Sequence, residues 1–154
     1  MATNDDRQKS AAHRSSDPPH ASVVSSRMLS EAQGCAILAD VFHARGYTIA
    51  RDVDFDEDGI SFNIDGWDAA ARVGFEFRTS EAGDKDDLTV DEWALLAAAI
   101  ERGELYVFVI DDVTVVDEAD LRVYADRFLA EVAVRQAATR ARKGSGRHAT
   151  RGTQ

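Results

Sequence analysis

The chain has 154 residues, 44% of them hydrophobic and 30% charged, with a formal net charge of -10. That length suits one domain with a self-sufficient core, and the single cysteine, Cys35, excludes an internal disulfide. The longest apolar stretch, Ala94 to Ile100, is too short to span a membrane.

The charge is unevenly spread. Residues 30–133 hold 25 acidic and 8 basic side chains, a net of -17, whereas the piece from Val134 holds 6 basic side chains and no acid. An acidic core repels phosphate backbones at long range and attracts cations or basic protein surfaces. Residues 1–28 are polar, carry Pro18-Pro19 and lack periodicity, so they read as a disordered tail. Residues 137–154 read as a disordered basic tail, which leaves one domain over 29–136. No secretory segment is visible, and a lone thiol suits a reducing compartment, so a soluble cytoplasmic protein without a membrane partner is the expectation.

Taken in chain order, Ser30 followed by Gln33 is a capping box and opens a helix. Cys35, Leu38, Val41 and Phe42 share one face of it, and Gly46 stops it. Three alternating segments follow: Tyr47 to Phe55, Ile60 to Ile64 and Arg72 to Arg78. The turns between them are expected at 56–59 and 66–71, giving an antiparallel meander. Thr89 with Glu92 caps a second helix, with Leu88 placed to staple onto Trp93. Leu105 to Ile110 is an unbroken apolar run, which suits a strand buried on both faces. Val113 to Val116 either continues it past a bulge or pairs back on it. Asp117 caps a third helix whose apolar face is Leu121, Tyr124, Phe128, Leu129 and Val132. The order α-β-β-β-α-β-α, with the last strand parallel to the third across a crossover, defines an α+β fold with helices packed on a mixed sheet.

The nearest approach to a chemical signature is the acidic run from Asp52 to Asp65. Read from Asp54, it places acids at Asp54, Asp56, Asp58 and, in the twelfth position, Asp65, with Gly59 in the sixth. This spacing resembles the calcium loop of EF-hand proteins, which implies a cation held by Asp54, Asp56, Asp58 and Asp65. The flanks alternate like strands, and the alternative is a charged hairpin tip that keeps a sheet edge soluble.

The element order, together with Glu76-Phe77-Arg78 on the third strand, resembles the core of the PD-(D/E)XK nuclease superfamily. The resemblance implies a metal-dependent phosphodiesterase with one acid on the second strand and an acid-x-lysine on the third. A hairpin across a 66–71 loop would pair Asp65 near Arg72, far from Glu76, so Asp58 is the expected partner of Glu76 and Arg78. Asp65 and Asp68 would then shape the turn. Arg78 stands where the family has lysine and stays protonated, which closes that residue to proton transfer.

His43 is the only histidine between residues 30 and 133, so no Ser-His-Asp or Cys-His set can be built without it. Asp111-Asp112, at the end of the buried strand, either holds a cation or begins a turn. The leading expectation is a small acidic binding or regulatory module, of the immunity-protein or inhibitor kind. Asp52, Asp54, Asp56, Glu57 and Asp58, with the acidic stretch Glu81 to Asp91, would face a basic partner, and Trp67 in its turn either joins them as an exposed aromatic or covers the sheet end. No cofactor is the simplest expectation, and magnesium or calcium enters only through the two metal readings.

Overall fold

The computed structural model describes residues 28–80, 88–114 and 117–146. It shows three helices and a four-stranded mixed sheet: α1 (Glu31–Ala44), β1 (Ala50–Glu57), β2 (Ile60–Asp68), β3 (Val73–Arg78), α2 (Val90–Glu101), β4 (Tyr106–Asp111) and α3 (Glu118–Gly146). The strand order is β1-β2-β3-β4, antiparallel except for the parallel β3–β4 pair, so the expected α+β order and topology hold.

The helix starts follow local chemistry. Ser30 and Gln33 form the reciprocal capping box on α1, and Thr89 and Glu92 form it on α2, each satisfying two backbone donors that a helix start leaves open. At the third start, the Asp120 N–H donates to Asp117 Oδ1 at 2.9 Å. Residues 115–116, including the Val116 staple, lie outside the described residues, and Val113 and Thr114 form a turn, not a strand.

The sheet separates two cores. α1 and α3 cover one face, where Leu38, Phe42, Leu121 and Leu129 pack with Val73, Phe75 and Phe77. α2 covers the other, where Leu96 and Ala99 pack with Phe55, Ile60, Phe62, Ile64 and Trp67. Ile64 and Trp67 stand three positions apart yet enter the same core, so the alternation of β2 breaks at Asp65-Gly66. On β1, the ladder runs from Arg51 opposite Gly66 to Val53 opposite Ile64. Asp52, between them, has φ +52°, a left-handed conformation that Asp tolerates better than most residues. Both strands therefore change course at one level, and the far half of the hairpin leans onto α2. There Glu92 Oε1 accepts from the Ser61 N–H at 3.3 Å.

Three boundaries differ from the expected ones. β1 begins at Ala50, although Tyr47 and Ile49 still pack on the first core. β2 runs on through Trp67 and Asp68, which shrinks the turn to 69–72. Asp68 makes that turn: its Oδ1 accepts from the Ala71 N–H at 2.9 Å, its Oδ2 from the Thr48 N–H at 2.7 Å, and its carbonyl from the Arg72 N–H at 2.8 Å. The third concerns the tail. Residues 137–146 are helical, because α3 continues to Gly146 instead of ending near 136. Alanine, arginine and lysine between 137 and 143 are strong helix formers, and propagation from a packed helix avoids the cost of nucleation. Gln136 Nε2 also donates to the Ala71 carbonyl at 3.1 Å, and Arg135 lies 5.6 Å over the Tyr106 ring. Residues 1–27, residues 81–87 of the acidic stretch, and residues 147–154 lie outside the described residues. Among the described residues no helix is long and apolar enough to cross a membrane.

Among the described residues, Gly66 is one of two glycines in the sheet with no room for a side chain, the other being its neighbour across the ladder, Gly74. A β-carbon on Gly66 would drive into the Phe75 ring, which lies against it across the β2–β3 ladder. Gly66→Ala is expected to cost about 1–3 kcal/mol through this overpacking, read as a lowered melting temperature with the secondary-structure spectrum retained.

Candidate functional site

The acids divide into two sets by position. The first set lies at a fork between β2 and β3. Paired residues run Asp68–Val73, Trp67–Gly74 and Gly66–Phe75, and there the ladder stops. The next residues on each strand are Asp65 and Glu76, 8% and 7% exposed. Beyond Gly66, β2 no longer offers its backbone to β3, and the side chains take over. Asp65 Oδ2 accepts from the Phe77 N–H at 2.7 Å, and Glu76 Oε2 accepts from the Asp65 N–H at 3.2 Å. Two buried backbone donors that the departing strand would orphan are thereby satisfied, as a buried N–H requires.

More groups close over the fork. Arg51 Nε donates to the Asp65 carbonyl at 2.9 Å, and its guanidinium lies 5.9 Å over the Phe75 ring. Cys35 of α1 packs against Asp65. Burial, then the Asp65 charge and a hydrogen bond to that carboxylate, push the Cys35 thiol well above its ordinary range, so it stays protonated.

This geometry corrects the expected register. Asp65 and not Asp58 comes alongside Glu76, because the turn spans 69–72 and β2 reaches Asp68. Asp68 shapes the turn as expected, whereas Asp65 does not. Asp58 sits seven positions back along β2's register, on the order of 23 Å. Its role is the hairpin turn: Asp58 has φ +52° and Gly59 φ +83°, the paired left-handed residues of a two-residue turn between Glu57 and Ile60. Arg78 follows Glu76 on the same side of β3, but its guanidinium lies 5.7 Å over Trp93 of α2.

Neither constellation gathers a three-ligand metal set among the described residues. At the fork, Asp65 Oδ2 and Glu76 Oε2 are engaged by backbone donors. The calcium-like spacing is drawn out along a hairpin. Asp54 and Asp56 stand on β1, Asp58 in the turn and Asp65 in the buried fork, so the four carboxylates do not converge.

The second set of acids is exposed. β1 is an edge strand, and Asp52, Asp54, Asp56, Glu57 and Asp58 all face solvent along it and its tip. Asp54 accepts from the neutral Asn63 amide at 3.1 Å, and Glu57 pairs with Arg72 at 2.8 Å. Asp52, Asp54, Asp56 and Asp58 enter no ion pair among the described residues. Trp67 does not belong with them. It is 5% exposed, set edge-to-face on Phe55 at 5.3 Å and covered by Arg72 at 5.5 Å, because its segment is strand and not turn.

Asp111 and Asp112 begin a turn. Asp111 Oδ1 accepts from the Thr114 N–H at 2.7 Å, and hydrogen bonds from the Thr114 side chain and backbone hold its carboxyl below the usual range. Asp112 ties the end of β3 to β4 by accepting from the Ser80 N–H and hydroxyl at 3.0 and 2.8 Å. A cavity of about 460 Å³ beside them is lined by Met28, Ser30, Glu31, Thr79, Ser80 and Asp112. No family model matches the chain, and no curated protein or solved structure matches it.

The fork assigns Asp65 a structural task that the edge acids lack. Asp65→Ala is expected to lower stability by about 2 kcal/mol by orphaning the Phe77 N–H, whereas Asp56→Ala stays within about 0.5 kcal/mol of wild type. Urea unfolding of the two variants checks the contrast.

Proposed function

We propose that the chain is a non-catalytic binding module that presents the β1 edge and its hairpin tip to a basic protein surface. One observation carries this reading: the acids suited to chemistry, Asp65 and Glu76, are buried and engaged with backbone donors, while, among the described residues, Asp52, Asp54 and Asp56 stand exposed and enter no ion pair, and Asp58 has only the nearby charge of Arg102. Exposed charges of one sign on a rigid edge steer a cationic partner and disfavour anionic ones. β1 also has an outer row of backbone donors and acceptors, so a partner strand has hydrogen bonds to make there, with charge selecting which strand is admitted. An inhibitor or immunity-type protein that covers a basic surface has this character, and nucleic acid is disfavoured at the same edge.

An arginine-rich peptide serves as the probe. Binding is expected to weaken roughly tenfold or more when Asp54 and Asp56 are both changed to Asn, and to weaken with added salt. Affinity unchanged by both treatments, measured by calorimetry, contradicts the reading.

The nuclease-like reading has one feature in its favour, the meeting of Asp65 with Glu76 one position from Phe77-Arg78. The donor set described above argues against a metal there, so no reaction is assigned. Magnesium and calcium are each expected to leave the melting temperature where EDTA leaves it, since only a ligand that binds the folded state raises it. A magnesium-dependent rise that disappears in Glu76→Gln would replace the binding reading with the metal-dependent one.

A further inference from the structure

We propose that the C-terminal part of α3 is a docking arm whose occupant is the acidic β1 edge of a second copy of this chain. The inference rests on the reading of that edge as a binding surface, and it names what the edge binds.

The arm begins where α3 leaves the core, with Thr139 and Arg140 still lining a cleft against Arg72, Gly103, Glu104 and Tyr106. Leu129 and Val132 are the last residues of α3 in the core, and Gln136 makes its last side-chain hydrogen bond to the body of the domain. From Ala137 to Ser145 every residue is exposed. A helix segment this exposed gains little from tertiary packing, and one that is polar all round needs a surface to lie on or neighbours to support it. Arg140, Arg142 and Lys143 enter no ion pair among the described residues. The helix dipole accounts for a cation in the last turn, where Lys143 stands, but its effect fades beyond that turn and does not account for Arg142, while Arg140 stands at the root of the arm beside a cleft lined by Arg72, Gly103, Glu104 and Tyr106.

Charge complementarity selects the occupant. The acidic counterpart is on the same chain: Asp52, Asp54, Asp56 and Asp58 on an open sheet edge, equally without ion pairs among the described residues. One copy therefore carries two exposed surfaces of opposite sign. The arm is continuous with a packed helix, so its direction is fixed by the core and it does not fold back as a loose tail would. A second copy brings its own edge to the arm. The two domains repel one another through their net charges, but at physiological salt the screening length is about 8 Å. Repulsion between domain centres is then largely screened, while contacts at the arm survive.

The test is the mass of the full chain by analytical ultracentrifugation at about 0.15 M salt, the low-salt condition, and at about 0.5 M salt. Association above the 16.8 kDa chain mass is expected at low salt, with reversion to that mass at high salt. Changing Arg140, Arg142 and Lys143 together to Glu is expected to abolish it, as is changing Asp54 and Asp56 to Lys. Combining the two sets reverses both surfaces and is expected to restore it. All these side chains are exposed, and circular dichroism confirms that each variant is folded. A chain that keeps its single mass at low salt over all concentrations overturns the proposal. So does association that survives the arm variant or high salt, a combined variant that fails to associate, or an arm that binds a DNA oligonucleotide through the same three residues. If the chain stays monomeric while β1 still binds the arginine-rich peptide, only the choice of occupant falls. If the edge binds neither, the reading of the edge falls with it.

Discussion

The carboxylates of Asp65 and Glu76, standing in for a missing stretch of ladder between β2 and β3, are the interaction on which the rest of the structure depends. A sheet whose strands part inside the protein leaves buried N–H groups without partners, and each costs free energy comparable to a lost hydrogen bond. Here Phe77 and Asp65 would be left in that state. The two acids receive those donors at 2.7 and 3.2 Å, and the strands can separate. Once β2 leaves β3, the far half of the β1–β2 hairpin is free to lean onto α2. Phe55, Ile60 and Phe62 then bury against Leu96 and Ala99 to make the second core. β1, the first strand in the sheet order, remains an outer edge with its acids in solvent.

This division gives the acidic composition a physical meaning. An excess of acid in one domain is costly through self-repulsion unless some of it is neutralised or bonded. The fork and turn acids Asp65, Asp68, Glu76 and Asp112 are bonded to backbone donors and hold parts of the fold in place. Those on β1 hold nothing comparable, and their exposure is what makes them available to another molecule. The basic residues Arg140, Arg142 and Lys143 are separated from these acids along the chain and stand exposed at the end of α3.

Features fixed by neighbouring residues were legible in the sequence, and features fixed across space were not. Both capping boxes, Ser30 with Gln33 and Thr89 with Glu92, follow from a three-residue spacing, and the strand alternation at Val73, Phe75 and Phe77 follows from the pleat. The order of elements and the parallel β4 follow in turn. The β2–β3 register did not, because it depends on a turn made by Asp68 with help from Thr48, twenty residues away. The signal present was Asp68 before three alanines, which have no turn chemistry of their own and so leave the turn to Asp68. The same register left Trp67 in a turn, where exposure and cover of the sheet end could not be told apart. Its burial depends on Phe55 and on Arg72 folding over it. The length of α3 was hidden by the charge of its end, which suggested a solvated tail although alanine and arginine there favour helix.

The most direct measurement of the central claim is amide hydrogen exchange at Phe77 in the full chain, with and without magnesium. If Asp65 is committed to that N–H, its exchange is as slow as that of the paired amides of β3, and magnesium leaves it unchanged. A Phe77 amide that exchanges like an exposed one would show that the carboxylate is free. One whose protection changes when magnesium is added would show that the fork is a metal site and not a fastening of the sheet.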